Sequence, residues 1–169
     1  MQYTSATANK LLKKITAERD ALLKREQKLS IFNCSAGEDE DKLRPEYDMA
    51  EYKMKIRTLN KQIMTIKHAI NLANCNCKVP NADGLTVDQL LIVLPMLTEE
   101  VRRYYDMAQR LPRERVYDRY SSSSYVDYVL TNYDPDDARK LYEVARDKLT
   151  RYQIALDEAN HQMIIDIDL

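Results

Sequence analysis

Apolar side chains recur every three to four residues along four stretches of this chain, and those repeats predict its elements. Ala8, Ile15, Leu22 and Leu29 stand at sevens, with Leu11, Leu12 and Phe32 beside the same stripe. They predict a first helix over about 4–33, its seam interrupted by Glu18, Arg25 and Glu26. Ser35-Ala36-Gly37 and the acidic run Glu38-Asp39-Glu40-Asp41 end it, and Gly37 suits a left-handed cap. A second helix over about 45–73 carries the cleanest pattern: Met49, Tyr52, Ile56, Leu59, Ile63, Ile66, Ile70 and Ala73 alternate spacings of 3 and 4 without an exception. Pro45 fits its first turn, and Glu46 and Asp48 favour the positive helix end. A short loop then makes the two helices an antiparallel hairpin.

The pattern resumes after a connection rich in Asn, Cys and Pro. Thr86 and Gln89 have capping-box spacing, and Leu90, Leu94, Leu97, Val101, Tyr104, Ala108 and Leu111 mark the buried face of a third helix, about 86–111. Pro95 lies inside that stretch, where it removes one backbone hydrogen bond at a cost of about 3 kcal/mol. Unbroken periodicity favours a single kinked helix over a fresh start. Pro112 stops it, and a loop runs to about Ser124. Tyr125–Thr131 is rich in aromatic and β-branched residues and reads as a short strand. Asp134-Pro135-Asp136-Asp137 then opens a fourth helix over about 135–160, with Ala138, Leu141, Ala145, Leu149, Tyr152, Leu156 and Ala159 as its seam. The tail MIIDIDL reads as a second short strand that could pair with Tyr125–Thr131. The expected fold class is therefore mainly all-α: a single helical domain of four long helices, arranged as antiparallel hairpins with coiled-coil-like packing. A short β-like excursion separates helices three and four.

Composition sharpens this picture. Two Gly and five Pro in 169 residues leave little turn chemistry, so the elements must be few and long. Long helices in so short a chain leave apolar stripe uncovered, and a second copy of the chain is the expected cover. No stretch has the length of about 18 apolar residues needed to cross a membrane, and the N-terminus lacks the apolar core of a signal peptide. Cys34, Cys75 and Cys77 have no disulfide or metal spacing, which points to a reducing, cytoplasmic setting.

The order of features resembles a family. A charged first helix, an isoleucine-rich second helix ending AINLAN, LTVDQLL at the next helix start, an RYS loop and a late helix ending LDEAN are similar to septicolysin-like small helical bacterial proteins. The resemblance spans about Leu11–Asn160 and implies an all-helical oligomer of poorly defined function. The family's name implies pore formation, but no segment here is amphipathic in the manner of a membrane-inserting helix.

Candidate chemistry concentrates in one segment, Arg102–Tyr128, which holds six of the twelve tyrosines and six arginines. Catalysis has little to stand on. His68 and His161 are the two histidines, neither near a Ser or Cys arrangement; there is no P-loop, GxGxxG, zinc spacing or Glu-x-x-His pair. The expectation is a non-enzyme with no cofactor and no metal. Arginine forks grip phosphate and tyrosine faces stack on bases, so this segment suits a small anionic, nucleotide-like ligand. The candidate lining is Arg102, Arg103, Arg110, Arg113, Arg115, Arg119, Tyr117, Tyr120, Ser122 and Tyr125. Asp106, Glu114, Asp118 and Asp127 leave the segment a net charge of only about +2, too little for a long nucleic acid. The same residue types are enriched at subunit interfaces, and a pocket between subunits would satisfy both readings. One concrete form is a phage or mobile-element protein that soaks up a nucleotide immune signal. The alternative is a coiled-coil module that docks another protein.

Overall fold

A computed structural model describes residues 1–115 and 126–168. Among the described residues the protein is mainly helical, 68% by residue, with small antiparallel sheets. Its elements in chain order are β1 (Gln2–Thr4), α1 (Ser5–Leu29), α2 (Glu40–Leu43), α3 (Met49–Asn76), α4 (Val87–Ala108), β2 (Arg113–Arg115), β3 (Tyr128–Leu130), α5 (Pro135–Gln162) and β4 (Ile164–Asp166). Backbone contacts group them into two compact units: Met1–Cys77 with Asn160–Leu169, and Lys78–Ala159.

In the first unit, α1 packs on α3 as the paired repeats require. Ala8 and Ile15 from α1 meet Ile63, Ile66 and Ile70 from α3 in an aliphatic core. The tail completes it. Met163, Ile165 and Ile167 are buried while Ile164 and Asp166 face water, the two-residue period of a strand. β4 pairs antiparallel with β1, Tyr3 opposite Ile165, and the Met1 and Ile167 backbones exchange bonds of 2.9 and 3.1 Å. The tail's partner is therefore the chain's first strand and not the segment near Tyr125.

Several helix boundaries move from where the sequence set them. Thr4 caps α1, but the helix stops at Leu29, four residues before Asn33, and exposes Ile31 and Phe32. Gly37 has a φ of 97°, as a left-handed turn needs, yet it lies in the following turn and caps no helix. Pro45 stays outside α3, because Asp48 is the better cap: its carboxylate accepts from the Ala50 and Glu51 amides at 2.8 and 3.2 Å. Part of the acidic run forms the one-turn α2, whose N-cap is Asp39. Glu26, which interrupts the α1 seam, accepts a 3.1 Å bond from the Tyr47 hydroxyl. Burial and that bond hold the Tyr47 hydroxyl above its ordinary pKa.

In the second unit, α4 starts on a complete capping box. The Gln89 amide donates to the Thr86 hydroxyl at 3.3 Å, and the Thr86 amide donates to Gln89 Oε1 at 3.0 Å. The helix continues through Pro95 without ending. Pro95 and Leu91 are both exposed, so the carbonyl that Pro95 leaves without a donor sits on the watered side. Leu90, Leu97 and Ala108 are buried, but Leu111 lies beyond the helix and is 61% exposed. On α5, Ala138, Ala145, Tyr152, Leu156 and Ala159 are buried as their spacing predicts, whereas Leu141 faces outward beside a half-buried Tyr142. Tyr105 and Tyr142 meet at 5.5 Å between ring centroids. Asp83, just before α4, reaches Tyr152 far along α5, while Tyr133, just before α5, reaches Met107 near the end of α4. The two helices therefore run antiparallel. Among the described residues no helix is long and apolar enough to cross a membrane.

Candidate functional site

The Arg/Tyr segment begins on α4 and ends on a small hairpin of the same unit. Arg102 and Arg103 project from the last two turns of α4, both exposed. Arg102 approaches Asp106 at 4.0 Å, one turn on, and Arg103 lies over the Tyr104 ring at 4.9 Å. With Pro95, Met96, Glu99 and Asp106 they line a cavity of about 940 Å³. Arg110 follows the helix end and belongs to a different cavity, about 280 Å³, which it shares with Pro112, Asp134, Asp136 and Arg139. Arg139 is tied to Asp136 at 2.8 Å. Arg110 has no ion pair among the described residues.

Arg113 and Arg115 lie on β2, within a stretch that reads as loop in the sequence. An all-charged Arg-Glu-Arg has no alternation to betray a strand. β2 pairs antiparallel with β3, setting Arg113 opposite Leu130, Glu114 opposite Val129 and Arg115 opposite Tyr128. Two bonds tie this hairpin to its surroundings. The Thr131 amide donates to the Pro112 carbonyl at 3.2 Å, and the Tyr133 hydroxyl donates to the Met107 carbonyl at 3.0 Å. All six strand residues are exposed.

Arg113 places its guanidinium 3.6 Å from the centroid of the Tyr128 ring. Stacking uses the face of the guanidinium and leaves its in-plane N–H donors for an anion. Tyr128 thus joins the candidate lining, which omits it although it lies within the segment. Nothing in its spacing distinguishes it from the neighbouring tyrosines. Arg119, Tyr117, Tyr120, Ser122 and Tyr125 lie outside the described residues. The five described arginines thus do not converge on one pocket: Arg102 and Arg103 share a cavity, Arg110 has another, and Arg113 and Arg115 share the hairpin.

A second polar cluster stands at the other end of α4. The Tyr152 hydroxyl, buried, donates to Asp83 Oδ2 at 2.5 Å, and Arg151 stands 3.5 Å from Oδ1. The Tyr152 bond, with Arg151 and Lys148 nearby, holds the Asp83 carboxyl below its ordinary 3.8, despite an opposing desolvation. Asp83 (φ 53°) and Asn81 (φ 61°) both adopt the left-handed region, which short polar side chains tolerate better than other residues do. Buried Val79 and Ala82 anchor this turn, so its task is to hold α4 against α5.

His68 and His161 are exposed. Among the described residues no group of three His, Cys, Asp or Glu is placed to hold a metal ion.

No family model matches this sequence, and no curated protein matches it. Among solved structures, the chain is similar to a functionally unknown conserved protein from Corynebacterium diphtheriae. The two are 19% identical with a TM-score of 0.58, over 98% of this chain and 100% of that one. At that identity the likeness speaks to the fold alone.

Proposed function

We propose that the protein is a non-enzymatic, self-associating binding protein whose arginine–tyrosine segment takes a small anionic, nucleotide-like ligand at pockets between subunits. The observation that carries this reading is the exposed Arg113–Tyr128 stack, in which Arg113 has no carboxylate partner among the described residues. An aromatic face beside an arginine edge is the pairing that grips a base and a phosphate together. Arg103 and Arg110 likewise have no ion pair among the described residues, whereas Arg102 is paired with Asp106. Exposed apolar residues, most of them beside the heptad-like seams, add a reason for self-association. Leu141, Val144 and Ile154 on α5, and Leu91, Ile92 and Met96 on α4, remain exposed. Packing of a coiled-coil type against another copy would cover them. A protein of this kind acts by sensing or sequestering its ligand, and soaking up a nucleotide immune signal is one such role.

Thermal denaturation in the presence of a nucleotide and cyclic-nucleotide panel tests the reading. A ligand at about 100 times its Kd stabilises the folded state by roughly 2.7 kcal/mol. The melting temperature should rise with a member of the panel, and Arg113→Ala should abolish the rise while retaining the fold. Unchanged melting across the panel would overturn the ligand reading and favour a module that docks another protein through the exposed seams.

A further inference from the structure

We infer that the outer edge of β3 is a self-pairing site, where β3 of one copy joins β3 of a second about a twofold axis through Val129. Each copy thereby completes the other's arginine–tyrosine surface, an inference that rests on the self-association and ligand binding proposed above.

The phase of the hairpin identifies which backbone groups point outward. The Thr131 amide bonds the Pro112 carbonyl on β2's side. Antiparallel ladders alternate, so Val129 also directs its N–H and C=O toward β2, and Tyr128 and Leu130 direct theirs away. Among the described residues no strand pairs with that outward edge. Tyr128, Val129 and Leu130 are 43%, 49% and 66% exposed. An isolated two-stranded hairpin is marginal in water, and a bare apolar edge is a template for another strand.

Charge decides between the two edges and names the occupant. On β2 the outward backbone groups are those of Arg113 and Arg115. Any antiparallel self-pairing that lets them meet sets arginine opposite arginine, and the register centred on Glu114 adds glutamate opposite glutamate. Like charges directly opposed destabilise a sheet. On β3 the matching registers bring together Tyr128 and Leu130, with no charge at all. The symmetric one sets Tyr128 opposite Leu130 of the second copy, in both directions, and Val129 opposite itself. All four outward backbone groups of each copy are then bonded, and aromatic–aliphatic pairs form across the dyad. A second copy of this chain fits that edge without a single mismatched group.

The consequence for the site follows from the pleat. Residues directly opposite share a face, so Arg113, Arg115, Tyr128 and Leu130 lie on one side of the hairpin and Glu114 and Val129 on the other. Joining two hairpins gives a four-stranded sheet with both copies' Tyr128 and Leu130 at its centre and four arginines along its two margins. Three strand spacings of about 4.8 Å separate those margins, roughly 14 Å, within reach of inward-leaning arginine side chains. Such a floor fits a flat ligand bearing two phosphates related by a twofold axis.

Cysteine cross-linking of the full chain tests this. Val129 would occupy a non-hydrogen-bonded pair with itself, where Cα atoms lie about 4.5 Å apart, inside the disulfide range. Under mild oxidation Val129→Cys should give a dimer linked Cys-to-Cys at that position, whereas Leu130→Cys and the native sequence should not. Val129→Lys should abolish the dimer in native mass spectra, leave the helical circular dichroism intact, and remove the nucleotide-dependent rise in melting temperature. A native oligomer that neither links through Val129→Cys nor dissociates in Val129→Lys would overturn edge pairing and leave self-association standing. A native chain that is monomeric at every concentration, with and without nucleotide, would overturn both. Loss of the dimer in Val129→Lys with the thermal response retained would overturn the shared site.

Discussion

The two units of this protein hold themselves together by different chemistry. The first relies on aliphatic burial: isoleucines from α1, α3 and the tail fill one core, and Glu26, the charge set into its seam, is met by a tyrosine hydroxyl. The second buries aliphatic residues too, Val79, Val87, Leu90, Leu97 and Leu156 among them, but adds small residues and tethers. Ala138, Ala145, Ala155 and Ala159 bury one side of α5, and tyrosine hydroxyls reach across at Tyr133 and Tyr152. Aliphatic burial does not depend on ionisation, whereas a tyrosine-to-carboxylate bond does. The unit with these two tyrosine tethers is also the one that carries the arginine–tyrosine segment. Tyrosines thus tether the helices of that unit and also populate its candidate site.

The largest test of this contrast is Ile66→Ala. Ile66 has no exposed surface, and truncating a buried isoleucine typically costs about 2–5 kcal/mol. Urea unfolding should show that loss equally at neutral and acid pH, because no titrating group is involved. A pH-dependent loss would break the contrast.

Tyr152→Phe should give a smaller loss with the opposite pH behaviour. Asp83 has its pKa depressed in the folded protein, so its contribution is present above 3.8 and is lost as pH falls through the lower folded value. Removing the hydroxyl takes away the chief cause of that depression. The variant's midpoint should fall below the native one at neutral pH, and the two should converge in acid below 3.8. Parallel curves would show that the tether matters only as packing.

Thr86→Ala gives the smallest effect. It removes one side of the capping box on α4 and should cost about 1 kcal/mol. Amide exchange should report it as faster opening confined to the first turn of α4. Faster exchange in α1 or α3 would show that the units do not respond independently.

The residues that a reader of the sequence could place were those with local reasons for being where they are. The 3-4 alternation from Met49 to Ala73, the Thr86–Gln89 box and Asp134-Pro135 each depend on near neighbours along the chain, and each appears in the structure, except that Met49 is 69% exposed. Gln2–Thr4 and Ile164–Asp166 could not be matched from sequence, because pairing between such distant segments leaves no short-range trace. Arg113–Arg115 was opaque for another reason: with every residue charged, it lacks the two-residue rhythm of a half-buried strand. Pro45 and Asp48 both suited a helix start, and the hydrogen bonds available to a carboxylate settled the matter three residues later. Of the site, the segment was legible from its arginines and tyrosines. The stack of Arg113 on Tyr128 and the placing of Arg139 beside Arg110 were not, since both depend on how the chain turns after Pro112.

The pairing of β1 with β4 also dictates an order of events during synthesis. Ile165 and Ile167 belong to the core begun by Ala8 and Ile15, yet they leave the ribosome after the whole of Lys78–Ala159. Nascent chains fold largely from the leading end. Here the leading hairpin emerges early but must wait with one side of its isoleucine core uncovered. The later-made unit needs no residue from beyond Ala159, whereas the first cannot close its core until the tail has followed.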